Sequence, residues 1–133
     1  MSDENVYDYI EFSDKIEKMI ANNKIPVQQT SDFISLKLLC EYGGIWLDAT
    51  MFLTKKLDKE IYKYSFYSNK LKCDKFDNTY ISLKNRGGFA IACSKGNRIP
   101  FLVSKIMLDY FENYYEGELL SYFFYRLCYW FYI

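Results

Sequence analysis

A chain of 133 residues, half of them hydrophobic and a fifth aromatic, is built for one domain with a packed core and not for a disordered tract. Its 17 basic and 17 acidic residues cancel to a formal charge of zero, leaving no basic surplus for general nucleic-acid binding. With no histidine, a His general base, a His triad and a His-ligated zinc are all excluded, so acid–base work falls to Asp, Glu, Tyr, Lys or Cys.

The chain opens polar and acidic, which does not read as a signal peptide. No stretch reaches the roughly 20 apolar residues of a membrane span. Cys40, Cys73, Cys93 and Cys128 show no C-x-x-C spacing. Cys40 and Cys93 sit in apolar patterns and read as small core residues, a four-cysteine zinc site being the alternative. A reducing cytoplasm is the expected compartment.

In chain order, Val6, Tyr7, Tyr9, Ile10 and Phe12 suggest a short helix or strand. Ser13 or Asp14 caps a helix through about Ala21, with Ile16, Met19 and Ile20 inward and Asn22, Asn23 and Pro26 ending it. Next comes SDFISLKLLCEYGGIWLDATMFLTKKL, residues 31–57, around which the rest is organised. Phe33, Leu36, Leu39 and Cys40 have the spacing of a buried helical stripe, and Thr30, Ser31 and Asp32 offer caps at its start. Gly43 stops the helix, and Ile45, Trp46 and Leu47 form a short apolar strand that ends on Asp48. If that strand runs back along the helix, Asp48 lands near Asp32 and Ser35, at the carboxyl end of a strand beside a helix start. Open α/β sheets bind ligands at that place, where a carboxylate suits a divalent cation and a helix start suits phosphate.

Beyond Asp48, Met51 to Leu53 is a short apolar run and Thr54 to Lys59 a charged turn. Lys55 and Lys56 read either as a solvated face or as phosphate contacts. Residues 61–68 have the aromatic alternation of a strand, and residues 69–79 read as a loop. Tyr80 to Leu83 and Phe89 to Cys93 read as two strands split by a turn at Gly87-Gly88, a pair that could also admit a sugar close to the backbone. Gly96-Asn97 is a turn. Pro100 suits the first position of a helix to about Tyr115, with Leu102, Ile106, Tyr110 and Tyr114 along one side. After Glu116-Gly117, the segment LLSYFFYRLCYWFYI suits a buried helix. No linker or repeat divides the chain, so residues 1–133 read as one domain.

Residues 31–57 resemble the signature of capsular polysaccharide synthesis proteins, a branch of the nucleotide-sugar glycosyltransferases. The shared residues are Ser31, Asp32, Leu39, Tyr42, Gly43, Gly44, Ile45, Trp46, Leu47 and Asp48, in a stretch covering about a fifth of the chain. The resemblance implies an α/β, GT-A-like (Rossmann-like) nucleotide-sugar-binding fold. The family's first strand and helix would lie upstream of this chain, which makes the fold incomplete on its N-terminal side. The Asp-x-Asp metal motif of the wider group stands here as Asp48-Ala49-Thr50, and an arginine three residues after the opening Asp stands as Ser35.

The implied activity is transfer of a sugar from a nucleoside-diphosphate sugar to a glycan acceptor, with Mn²⁺ or Mg²⁺ stabilising the diphosphate leaving group. Asp48 would hold the metal, with Thr50 in support. Asp32, Ser35, Tyr42, Gly43, Gly44 and Trp46 would form the nucleotide-sugar site. Each has a plainer reading: Asp32 a helix cap, Asp48 a turn residue, Tyr42 and Trp46 core aromatics. No general base stands out among Asp74, Asp77, Glu116 and Glu118. A non-catalytic relative that binds a partner is the other function left open. Phe123, Phe124, Trp130 and Phe131 would supply an apolar patch for self-association or for a peripheral place at the inner face of the membrane.

Overall fold

The computed structural model describes residues 5–70 and 86–119. The predicted strand at 80–83, two of the candidate bases (Asp74 and Asp77) and the C-terminal aromatics lie outside them.

Val6–Asp8 forms a single 3-10 turn. Ser13 caps α1 (Asp14–Ala21) by accepting from the Ile16 amide, as its sequence position predicts. The same hydroxyl donates to the Glu112 carboxylate and Lys15 donates to the Glu112 carbonyl, tying the start of α1 to a helix far along the chain.

α2 (Val27–Tyr42) begins at Pro26, four residues earlier than the predicted caps. Proline fixes its own φ and serves as a start without any side-chain cap. Thr30 and Ser31 therefore sit inside the helix, and Thr30 Oγ1 donates back to the Pro26 carbonyl at 3.3 Å. The predicted stripe of Phe33, Leu36 and Leu39 is buried, and Gln29 and Ser35 are buried beside it.

Gly43 ends α2 at φ 70° and ψ −160°, a backbone conformation nearly restricted to glycine. A Cβ there would lie 2.5 Å from the Lys95 nitrogen and 3.1 Å from the Cys93 carbonyl oxygen. The chain needs glycine both for the reversal and for the close approach of the neighbouring backbone. The Gly96 amide donates to the Cys40 carbonyl at 2.8 Å, fastening the same junction.

β1 (Gly44–Leu47) follows as predicted. Residues 61–68 are not one strand. Asp58 caps a 3-10 segment, Lys59–Lys63, and β2 is confined to Phe66–Lys70. The alternating aromatics Tyr62 and Tyr64 precede the strand and stay exposed, so the period-2 pattern did not mark a buried face.

β3 (Arg86–Cys93) includes Gly87 and Gly88, which belong to a strand and not to a turn, at an irregularity where the register with β2 shifts between Ser68 and Lys70. β3 is the central strand of an antiparallel sheet of order β1-β3-β2, with Trp46 opposite Ile91 and Phe66 opposite Cys93. The described residues are thus mixed α/β with an antiparallel sheet, and the parallel open sheet invoked for Asp48 is not among them.

α3 (Arg98–Asn113) starts at Asn97, whose Oδ1 accepts from the Ile99 amide at 2.9 Å, so Pro100 is the third helical residue. Its inward face is Val103, Met107 and Phe111, one position round from the predicted Leu102, Ile106, Tyr110 and Tyr114. Ile106 and Tyr114 are exposed. Both stripes are apolar at the same spacing, and only packing on α1 and α2 selects between them.

The main core joins Ile16, Ile25, Phe33, Leu36, Val103, Met107 and Phe111 between the three helices. A second cluster of Leu39, Ile91 and Cys93, flanked by Trp46 and Phe66, fixes the sheet to α2.

Candidate functional site at the end of the first strand

Trp46 packs on the cluster with Leu39, so β1 returns along α2 as the sequence geometry requires. From Gly44 to Asp48 the strand covers roughly 13 Å, the length of about nine helical residues. That places Asp48 level with the middle of α2, near Phe33 and Ile34. The N-terminus of α2 lies at Val27, some two turns further on. Asp48 is therefore not beside a helix start, and the helix dipole, which falls off within the first turn, gives it little. The earlier start of α2 is the reason.

The Asp48 backbone is fixed on both sides. Its amide donates to the Phe89 carbonyl at 2.9 Å, and its carbonyl accepts from the Met51 amide at 2.9 Å, closing a tight turn over Ala49 and Thr50. Asp48 thus does form a turn. Its side chain, half-buried, takes no hydrogen bond and no ion pair among the described residues. Thr50 is exposed on the turn.

Asp32 is the sixth residue of α2 and half-buried, and its Oδ2 is closed off from solvent. It does not cap the helix. Ser35 is buried, and its hydroxyl donates to the Asp32 carbonyl at 2.9 Å. Where the resemblance expects an arginine, the helix holds a small residue turned onto its own backbone.

The remaining candidates lie elsewhere. Tyr42, Gly43 and Gly44 are at the far end of α2, roughly 15 Å along the axis from Asp32. The Tyr42 hydroxyl donates to the Tyr9 carbonyl at 3.1 Å, and the two rings meet edge to face at 6.4 Å. Trp46 is a packing residue between sheet and helix. By these helix and strand spacings Asp32, Ser35 and Asp48 fall at about one level of α2, while Tyr42, Gly43 and Gly44 build the reversal.

Two clefts among the described residues lie away from Asp48. One of about 980 Å³ lies between the ends of α1 and α3, lined by Lys18, Asn23, Phe111 and Tyr114 among others. Another of about 500 Å³ lies between α2 and α3, with Phe12, Lys37, Cys40 and Leu108 in its walls. Neither includes Asp32, Ser35 or Asp48.

The Cys93 thiol, buried against the Leu39 carbonyl at 3.4 Å, is pushed up to about 11 by burial and then by the neighbouring Cys40. Burial, then the charge of Glu41, raises Cys40 as well, against a lowering by Lys37. Both are free thiols with structural surroundings.

A family model described as capsular polysaccharide synthesis protein matches residues 1–132. The chain belongs to that family. No curated protein and no solved structure matches it. The capsular polysaccharide synthesis match extends far beyond residues 31–57 and takes in the helices α1 and α3. Membership points to a role in making capsular polysaccharide. Among the described residues no helix is long and apolar enough to cross a membrane.

The chemistry of the donor set limits how this family member could take a metal. Among the described residues no three His, Cys, Asp or Glu side chains converge. One carboxylate cannot hold a hard cation alone, since such ions want several oxygens. It can complete the shell of an ion that arrives on a diphosphate, which supplies oxygens of its own. Asp48 fits that second role.

The sequence reading missed one surface. It took Met51 to Leu53 as a uniform apolar run, yet Met51 turns toward the sheet while Phe52 is 86 % exposed. The signal was the short loop itself, in which successive residues cannot all face one way.

Proposed function

We propose that this chain is a GT-A-like glycosyltransferase of capsular polysaccharide synthesis, which takes a nucleoside-diphosphate sugar and passes the sugar to a glycan acceptor. The observation that carries the proposal is the Asp48 carboxylate, free of protein partners among the described residues and held on a backbone pinned at both sides. Mn²⁺ or Mg²⁺ bound with the donor would offset charge developing on the leaving diphosphate. Asp48 supplies one oxygen ligand from the strand end, and Thr50 on the same turn lies within the segment the donor would contact. Asp32 is the other carboxylate of the signature, and reaching the donor would require its buried Oδ2 to come into the open. The pinned turn contributes orientation, because a fixed carboxylate loses little freedom when the donor binds.

A non-catalytic relative is the second reading, and Ser35 favours it. A buried serine offers no charge to a phosphate, whereas an arginine would offer a fork of donors.

Titration calorimetry with a panel of nucleoside-diphosphate sugars, with and without Mn²⁺, tests the proposal. Mn²⁺-dependent binding is expected, and Asp48→Asn should remove on the order of 3 kcal/mol of it while the fold stays intact. Asparagine makes the same turn, so equal Mn²⁺-dependent affinity in the two proteins would reduce Asp48 to a turn residue. Absence of nucleotide binding in the wild type, ion present, would leave the non-catalytic reading.

A further inference from the structure

The chain between β1 and β2 lies as a strap across the sheet face that looks away from α2. Met51, Leu53, Leu57 and Ile61 close over Ile45, Leu47, Tyr67, Ala90 and Ala92, around an apolar hollow of about 130 Å³. The inner side of the strap has a full set of apolar residues. Its outer side nevertheless carries Phe52 at 86 % and Tyr62 at 70 % exposure, with Tyr64 more than half exposed and Leu53, although it lines the hollow, still about half open to solvent. Covering the sheet therefore does not account for them.

Charge is also uneven here. Residues 51–64 hold Lys55, Lys56, Lys59 and Lys63 against Asp58 and Glu60, a local surplus in a chain whose total is zero. Glu60 is taken up by Lys63, and Asp58 caps the 3-10 segment by accepting from the Glu60 amide. Lys55, Lys56 and Lys59 are exposed and in no ion pair among the described residues. The strap thus shows a phenyl ring with a leucine beside it, two tyrosines, and three exposed lysines in a segment with a net surplus of two positive charges.

We propose that this strap is a docking surface for an anionic lipid bilayer. Phe52 and Leu53 carry no polar group to read a sugar or a nucleotide, and their match is hydrocarbon. Tyr62 and Tyr64, apolar rings with a polar tip, suit the level of the headgroups. Lysines lie their stems along apolar surface and reach anionic headgroups with their ends. The surface is carried by different residues from Asp48, and its test does not depend on nucleotide binding.

The 133-residue chain is mixed with vesicles of equimolar phosphatidylglycerol and phosphatidylcholine, or of phosphatidylcholine alone, and the bound fraction is read by flotation. Binding to the anionic vesicles, weakened by salt, is expected. The Lys55→Glu, Lys56→Glu, Lys59→Glu triple variant should lose about 100-fold in partitioning, since each lysine near such a surface is worth roughly fivefold. Phe52→Ser should lose about tenfold while keeping the salt dependence. All four positions are exposed, so folding is expected to survive, which circular dichroism checks. In a Phe52→Trp variant the added emission should shift to the blue on anionic vesicles. Failure of the wild type to float, or variants that float as well as wild type, would overturn the proposal, the latter placing attachment elsewhere in the chain. Equal affinity for soluble dextran sulfate, with no blue shift on vesicles, would make the strap a polyanion site and overturn it too.

Discussion

The helical layer and the sheet of this molecule are built to different standards. Between α1, α2 and α3, Ile16, Phe33, Val103 and Met107 have no exposed surface at all, and Leu36 and Phe111 have 1 %. In β1, by contrast, Ile45, Trp46 and Leu47 are all only half-buried, and the strap beyond them turns aromatic rings to solvent. The groups proposed for binding, Asp48 and the outer strap, are on the loosely covered side. A tight helical core lets the sheet side give up apolar cover without unfolding the chain.

Core truncation should break this contrast most visibly. Phe33, in edge-to-face contact with Phe111 at 5.4 Å, fills the centre of the helical core. Phe33→Ala is expected to cost about 3–5 kcal/mol, against about 1–2 kcal/mol for Leu47→Ala in the strand. Urea denaturation of the two variants measures the gap, and equal losses would mean that the two layers share one core.

The glycine pair sharpens the comparison at the seam of the two layers. Gly43→Ala places a methyl 2.5 Å from the Lys95 nitrogen in a backbone conformation that alanine avoids, with an expected loss of about 3 kcal/mol. Gly44, at φ 99°, has open space around it, so Gly44→Ala carries only backbone strain of about 1–2 kcal/mol. Thermal melting separates these, and a Gly44 variant as unstable as the Gly43 one would show that conformation outweighs the steric clash.

Cys93 supplies an effect that appears only at high pH. Its thiol ionises at 9.0 when unhindered and at about 11 in the fold, so the native state holds its proton more tightly. The corresponding stability is complete below pH 9.0 and fades as pH rises toward about 11, by on the order of 2 kcal/mol. Tyrosines and lysines titrate in the same range. The measurement is therefore the difference in melting temperature between wild type and Cys93→Ala across those pH values, which should narrow as pH rises.

Local signals in the sequence were read correctly where one residue type decides the backbone. Ser13 announced α1, Gly43 announced the reversal, and Asn97 the turn before α3. Reading failed where tertiary packing chose among equivalent patterns. α2 begins at Pro26 with the polar Gln29 buried in its first turns, which hid the apolar stripe until Phe33. The stripes of α3 through Leu102 and Val103 look alike until α1 and α2 cover one of them. Gly87-Gly88 has the composition of a turn, yet it lies within β3, where the register with β2 shifts. For the site, Asp48 was found at its strand end from the apolar run before it. Its level beside Asp32 and Ser35 stands, but the helix start was placed too late, so that level is mid-helix, and Tyr42, Gly43 and Gly44 lie about three turns away along α2.

The strand order has a consequence for the chain as it is being made. β1 has no partner in its own neighbourhood, because β3, the strand it pairs with, is about forty residues later. At ribosomal speeds of about 5–20 residues per second, Ile45, Trp46 and Leu47 wait roughly 2–8 s before that partner exists. Over that interval α1, α2 and β1 are complete in sequence, yet α3 is missing from the core that would bury Phe33. The nascent chain thus carries an apolar strand and an uncovered helix face together, a period in which a chaperone or a neighbouring chain competes with β3 for the same residues.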